Sequence, residues 1–127
     1  MKIKLILLVL LLTFSCLLSG CIAVVGAGAV GAIAYVLGDL EIKETKDLNS
    51  VYIATQQAYR DLNLVIEKNE KDEIGAIISA HDVHNERITV KLVKEDENTT
   101  KISIRVGLWG DEKKSRLVYS QIWENLY

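Results

Sequence analysis

Between Lys4 and Asp39 the chain carries no charged residue, whereas from Asp39 to Tyr127 charges recur throughout. That break constrains the fold more than any other feature. An uncharged run of this length suits lipid or a secretion channel, while the remainder has the mixed polarity of a chain that folds in water. Three segments follow: residues 1–20, 21–38 and 39–127. Residues 1–4, Met-Lys-Ile-Lys, are positive and residues 5–18, LILLVLLLTFSCLL, are apolar. A charged start, an apolar stretch and small residues behind it describe a secretory signal, assigned to residues 1–20. Cys16 lies inside it, so the processed chain keeps only Cys21 and an intrachain disulfide is impossible. Processing also removes Lys2 and Lys4, which deepens the acidic excess of 17 acidic over 15 basic residues. That balance argues against a nucleic-acid partner, which requires a face rich in Lys and Arg.

Leu18-Ser19-Gly20-Cys21 resembles the bacterial lipobox. The resemblance implies a diacylglyceryl group on the Cys21 sulfur, cleavage before Cys21, and acylation of the new amino group by a palmitate-like chain. Two or more acyl chains anchor stably where one is marginal, at about 0.8 kcal/mol per buried CH₂. The expected location is the bacterial cell envelope, lipid-anchored and facing outside the cytoplasm. Ile22 rather than Asp after the cysteine implies the periplasmic side of the outer membrane if the bacterium is diderm. An uncleaved anchor is the alternative, and it too leaves the domain from Asp39 onward outside the cytoplasm.

Residues 22–38, IAVVGAGAVGAIAYVLG, contain Gly26-Ala27-Gly28-Ala29-Val30-Gly31, which fits the G-x-G-x-x-G of a dinucleotide-binding turn. The context does not fit: the first strand would start at the lipidation site, and no alternation of strands and helices follows to build a parallel sheet. No cofactor is expected. Ala23, Ala27 and Gly31 recur every fourth residue, the spacing at which small side chains let apolar helices approach closely. The segment is expected to be an apolar Gly/Ala-rich helix in or on the lipid, through which copies of the chain can oligomerise.

From Asp39 the sequence reads as a compact domain. Leu40–Glu44 alternates apolar and polar, a half-buried strand. Asp47 or Asn49 caps a helix to about Leu62, with Val51, Ala54, Ala58 and Leu62 on one stripe. Leu64–Glu67 is a short strand ended by a charged turn at 69–72, and Ile74–Ala80 is another strand. Arg87–Lys94 and Thr99–Val106 alternate cleanly, with Ile88, Val90, Leu92, Ile102, Ile104 and Val106 inward. Gly107–Gly110 is a bend, and Asp111 caps a last helix bearing Leu117, Val118, Ile122 and Leu126. The expected fold is α+β: a two-layer sandwich of an antiparallel sheet of about five strands with two helices on one face, in the order β-α-β-β-β-β-α. The arrangement over residues 38–127 is similar to an uncharacterised family of small bacterial lipoproteins, a domain of unknown function. The residues that carry the likeness are Gly38-Asp39-Leu40-Glu41, Val51-Tyr52 with Ala58 and Asp61-Leu62, and Ile102–Gly107 followed by Gly110-Asp111 and Ser115-Arg116. The resemblance implies no activity.

Chemistry is sparse. His81 and His84 flank Asp82 and, with Glu86, offer zinc-type ligands, yet they fall in a loop between two strands, where polar residues serve solvation. No metal is expected. Ser50, Ser79, Ser103, Ser115 and Ser120 lack a nucleophile-elbow setting. Arg105, Asp111 and Arg116 form the main charged cluster, with Asp111 also read as a helix cap and the arginines as ordinary ion-pair partners. Trp109, in a Gly-flanked bend, suits a partner contact or a membrane interface, whereas Trp123 suits the flank of its helix. The expected function is that of a membrane-anchored, non-enzymatic envelope module contacting an envelope protein or polymer. Two alternatives stand: an extracytoplasmic hydrolase using carboxylates or His81 and His84, and a soluble cap on a membrane oligomer.

Overall fold

The computed structural model describes residues 1–17 and 33–127, with residues 10–17 in backbone only. Cys21, the small-residue repeat and the G-x-G-x-x-G match lie outside the described residues. Helix α1 spans Lys2–Leu17. Among the described residues no helix is long and apolar enough to cross a membrane.

The rest is one antiparallel sheet with two helices on one face. The strands are β1 (Ile33–Val36), β2 (Asp39–Glu44), β3 (Val65–Lys71), β4 (Gly75–His81), β5 (Arg87–Asp96) and β6 (Thr99–Val106), in the spatial order β1-β2-β6-β5-β4-β3. Helices α2 (Leu48–Asp61) and α3 (Glu112–Glu124) pack against each other and against the sheet, α2 toward β3–β5 and α3 toward β2 and β6. The class is α+β, with six strands and three helices among the described residues: β1 is one strand more than the sequence pattern implied, and the third helix, α1, lies in the segment read as a signal.

Alternation decides which face is dry. Ile88, Val90 and Leu92 on β5 pair with Val106, Ile104 and Ile102 on β6, and all six are buried. Leu40 and Ile42 on β2 continue the layer, as do Ala76, Ile78 and Ala80 on β4. Val51, Ala54 and Ala58 from α2 and Val118 and Ile122 from α3 close it. Each fully buried Ile or Leu contributes about 1.5–3 kcal/mol relative to exposure. Tyr59 is buried in the middle, its hydroxyl donating to the carbonyls of Ile78 and Ile88 at 3.1 and 3.3 Å. Burial pushes its phenol well above its ordinary pKa. Glu44 is also buried, and accepts from the hydroxyls of Tyr119 and Tyr127, which offset the cost of removing a carboxylate from water.

Two expectations change. The apolar segment does not run as a helix to residue 38: Ile33–Val36 is a strand paired with Val36 opposite Asp39 and Ile33 opposite Ile42. A short continuous apolar run suits helix or strand equally, so periodicity cannot decide it. Strand β3 extends to Lys71 instead of ending before a turn at residue 69. A bulge at Glu67 breaks its alternation, and α2 supports its far half, since Tyr52 donates to Asn69 at 2.8 Å and Lys71 stands over the Tyr52 ring. As an edge strand β3 is charged and bulged, which discourages pairing with a further strand. The caps agree with expectation: Asp47 accepts from the Ser50 amide at 3.0 Å and Asp111 from the Lys114 amide at 3.0 Å.

Candidate functional site

Among the described residues, helices α2 and α3 cover one face of the sheet and the second face is left open. At one end of that face lies a depression of about 590 Å³, floored by Thr89 and rimmed by Glu67, His81, Glu86, Arg87, Arg105 and Leu108. The β3 bulge turns Glu67 over this face. Its carboxylate lies 2.9 Å from His81 Nδ1 and 3.4 Å from Arg87 Nε. The His81 contact lacks hydrogen-bond alignment, so the buried Nδ1 has no hydrogen-bond partner among the described residues. Across the depression, Glu86 pairs with the Lys114 ammonium and holds it above its ordinary pKa. Asp82 accepts from the amides of Glu86 and His84 at 2.9 and 2.8 Å, which keeps its carboxyl below the usual range. Asp82 therefore builds the turn, and His84 stands exposed on it. Among the described residues no three His, Cys, Asp or Glu side chains are placed to hold a metal ion.

Arg105 ties this end of the sheet together. Its Nε donates to Asp39 Oδ1 at 2.5 Å, its Nη2 to the Leu37 carbonyl at 2.9 Å and its Nη1 to the Leu108 carbonyl at 3.4 Å. The Asp39 carboxylate also raises the pKa of the guanidinium. One side chain thus clamps two turns that are far apart in sequence. The turns also touch directly: a Cβ on Gly38 would sit 2.6 Å from the Trp109 carbonyl oxygen, and one on Gly110 would collide with the Gly38 backbone. Both glycines have positive φ, so no other residue fits this junction without strain.

The four candidates Arg105, Trp109, Asp111 and Arg116 are therefore not one cluster. Arg105 and Trp109 meet at the clamped turns, with Trp109 projecting into solvent. Asp111 is occupied as the cap of α3. Arg116 pairs with Glu112 one turn back on α3, at 2.9 Å, and does not join Arg105. Trp123 lies half-exposed on α3, tilted against the Tyr127 ring at 5.2 Å. The sequence offers Glu67 only as one wet-face carboxylate among many, because a bulge, not alternation, orients it toward His81.

Residues 4–125 match the family described as Protein of unknown function (DUF3568), and the chain belongs to that family. No curated protein matches the chain.

Proposed function

We propose that this family member is a bacterial envelope lipoprotein, anchored by lipid on Cys21, whose sheet domain acts outside the cytoplasm as a non-enzymatic contact module. Leu18-Ser19-Gly20-Cys21 behind an apolar stretch supports the anchor. The observation that carries the module reading is the one-sided sheet: α2 and α3 cover one face, and the other presents Arg105, Thr89 and Glu67 around a shallow, solvent-open depression. Its charged side chains are paired with one another and partly exposed, which suits a polar surface contact with an envelope protein or polymer. The outer membrane, periplasmic side, is the proposed site in a diderm cell.

The experiment has two parts. Mass spectrometry of the chain purified from its own membranes reads the anchor: a diacylglyceryl cysteine as first residue is expected, and an intact initiator Met with an unmodified Cys21 refutes it. A photo-crosslinker at Thr89 on the open face, compared with one at Ile53 on α2, reads the surface. Adducts from Thr89 alone are expected, and equal yields from both positions refute the open-face assignment.

One observation favours a second reading. Glu67 lies 2.9 Å from His81 Nδ1, and once aligned such a pair orients an imidazole for general-base work in a hydrolase. Turnover of an envelope polymer abolished by His81→Ala and by Glu67→Gln would establish that reading instead.

A further inference from the structure

The four most exposed large hydrophobic residues of the sheet domain are Leu37 (92%), Val83 (88%), Trp109 (86%) and Leu108 (79%). They come from three different turns: β1–β2, β4–β5 and the bend after β6. Sheet topology places all three turns at the same end. Strands β1, β4 and β6 finish there, and the Gly107 amide bonds to the Arg87 carbonyl at 2.8 Å, next to the turn that bears Val83. Isolated exposed apolar residues are ordinary, but several gathered at one end mark a contact with something apolar.

Leu37 adds an independent sign. It occupies the left-handed region at φ 51°, where an L-residue with a branched apolar side chain is strained. The other two such non-glycine residues among the described residues, Asn63 and Asn85, are of the type that tolerates this backbone. Leu37 recovers nothing by packing, since it is almost wholly exposed. A strained residue that displays an apolar side chain to solvent points to a role outside the fold.

The opposite end is its converse. There the turns carry Glu73, Glu97 and Asn98, all exposed, with Ile74 as the one large apolar residue among them. The large exposed apolar residues of the turns are therefore concentrated at one end, beside the exposed His84, Asn85 and Lys113.

We propose that the apolar end formed by Leu37, Val83, Leu108 and Trp109 docks into the interfacial layer of the bilayer that anchors the chain, so that the sheet stands end-on with its acidic turns away from the membrane. Trp with Leu is the composition that partitions to the headgroup boundary. The connection permits it. About 12 residues join Cys21 to Ile33, reaching up to about 40 Å, whereas β1 covers only about 13 Å between Ile33 and the docked turn. Docking fixes the orientation of the open-face depression, holding Arg105 and Glu67 near the membrane and the acidic turns toward the cell's other envelope layers. The inference rests on the lipid anchorage proposed above.

The test uses the full chain purified from membranes and reconstituted into vesicles of phosphatidylethanolamine and phosphatidylglycerol with brominated acyl chains. Helix α3 runs about 20 Å from the bend, so Trp123 lies at the far end and serves as the internal control. In the Trp123→Phe variant, emission from Trp109 is expected to fall at least twofold in the brominated vesicles. In the Trp109→Phe variant, emission from Trp123 is expected to be unchanged. Flotation of the vesicles scores the anchor separately. Chain that floats with Trp109 unquenched overturns the docking and leaves the anchor standing. A blue-shifted but unquenched Trp109 shows the end covered by protein, a second copy included, and overturns it likewise. Quenching of both tryptophans overturns the end-on orientation. Chain that fails to float overturns the anchor and the inference together.

Discussion

At one end of the sheet Asp72 accepts from the Ile74 and Gly75 amides at 2.9 Å, and Asp96 accepts from the Asn98 amide at 2.9 Å. At the other end Asp82 and Asp111 satisfy amides in the same manner. The structural work of turning the chain is thus done by the same chemistry at both ends: a short carboxylate satisfying backbone donors that no strand partner reaches. What differs is the residue left free by that work. At the acidic end the exposed turn residues are Glu73, Glu97 and Asn98 with Ile74; at the other they are Leu37, Val83, Leu108 and Trp109 with His84 and Asn85. Since neither set is needed to make a turn, the contrast reports what each end faces rather than how it folds.

The largest effect is expected where the apolar end is built most tightly. Gly110→Ala adds a Cβ into the Gly38 backbone at a positive φ, and strain and collision together cost about 2–4 kcal/mol. Denaturant unfolding of the full chain in detergent, followed by circular dichroism, reads the loss. Glu97→Ala at the acidic end, where only an exposed pair with Lys94 is removed, is expected to stay within about 0.5 kcal/mol. Equal losses would mean that the two ends are equally constrained, and the clamp through Arg105 would lose its meaning.

The helix caps sharpen the other half of the comparison. Asp47→Ala and Asp111→Ala sit at opposite ends, and each is expected to cost about 1 kcal/mol. The Asp47 carboxyl is held below its usual range by the Ser50 hydroxyl, 2.5 Å away, and by the Ser50 amide. Its folded pKa is therefore depressed, so its contribution is fully present above the unfolded value near 3.9 and disappears as pH falls through the lower folded value. The stability gap between the parent chain and Asp47→Ala should be constant from about pH 5 to 7 and close below about pH 4. A gap that persists at pH 2 would show that the carboxylate charge plays no part.

Local features of the sequence were legible and long-range ones were not. The alternation of Arg87–Lys94 and Thr99–Val106 exposes the dry face because side-chain direction has a period of two, and Asp47 and Asp111 announce caps by residue type and place. Strand β1 was hidden because Ile33-Ala34-Tyr35-Val36 has no polar residue to mark a wet side. Arg105 stood out as a site residue, but its partner Asp39 lies on β2, and only the β2–β6 pairing brings them together. Trp109 could be read as exposed from its flanking glycines. That Leu37 and Val83 share its end depends on strand order, which no local pattern encodes. Glu67 faces the depression because of one bulge, an irregularity invisible to any periodic template.

The smallest effect discriminates best between a built end and a displayed one. Leu37→Asn replaces a residue strained at φ 51° by the type that two-residue turns of this shape favour. If the Leu37 side chain serves only to contact lipid, its removal relieves backbone strain and costs no packing. The variant should then be more stable than the parent by about 0.5–1 kcal/mol in the same detergent unfolding experiment. In brominated vesicles, with Trp123→Phe as background, it should show weaker quenching of Trp109, because one of the four docking side chains is gone. Stability and docking then move in opposite directions, which no purely structural role for Leu37 produces. A loss of stability instead would place Leu37 in the fabric of the fold, and the two ends of the sheet would no longer differ in kind.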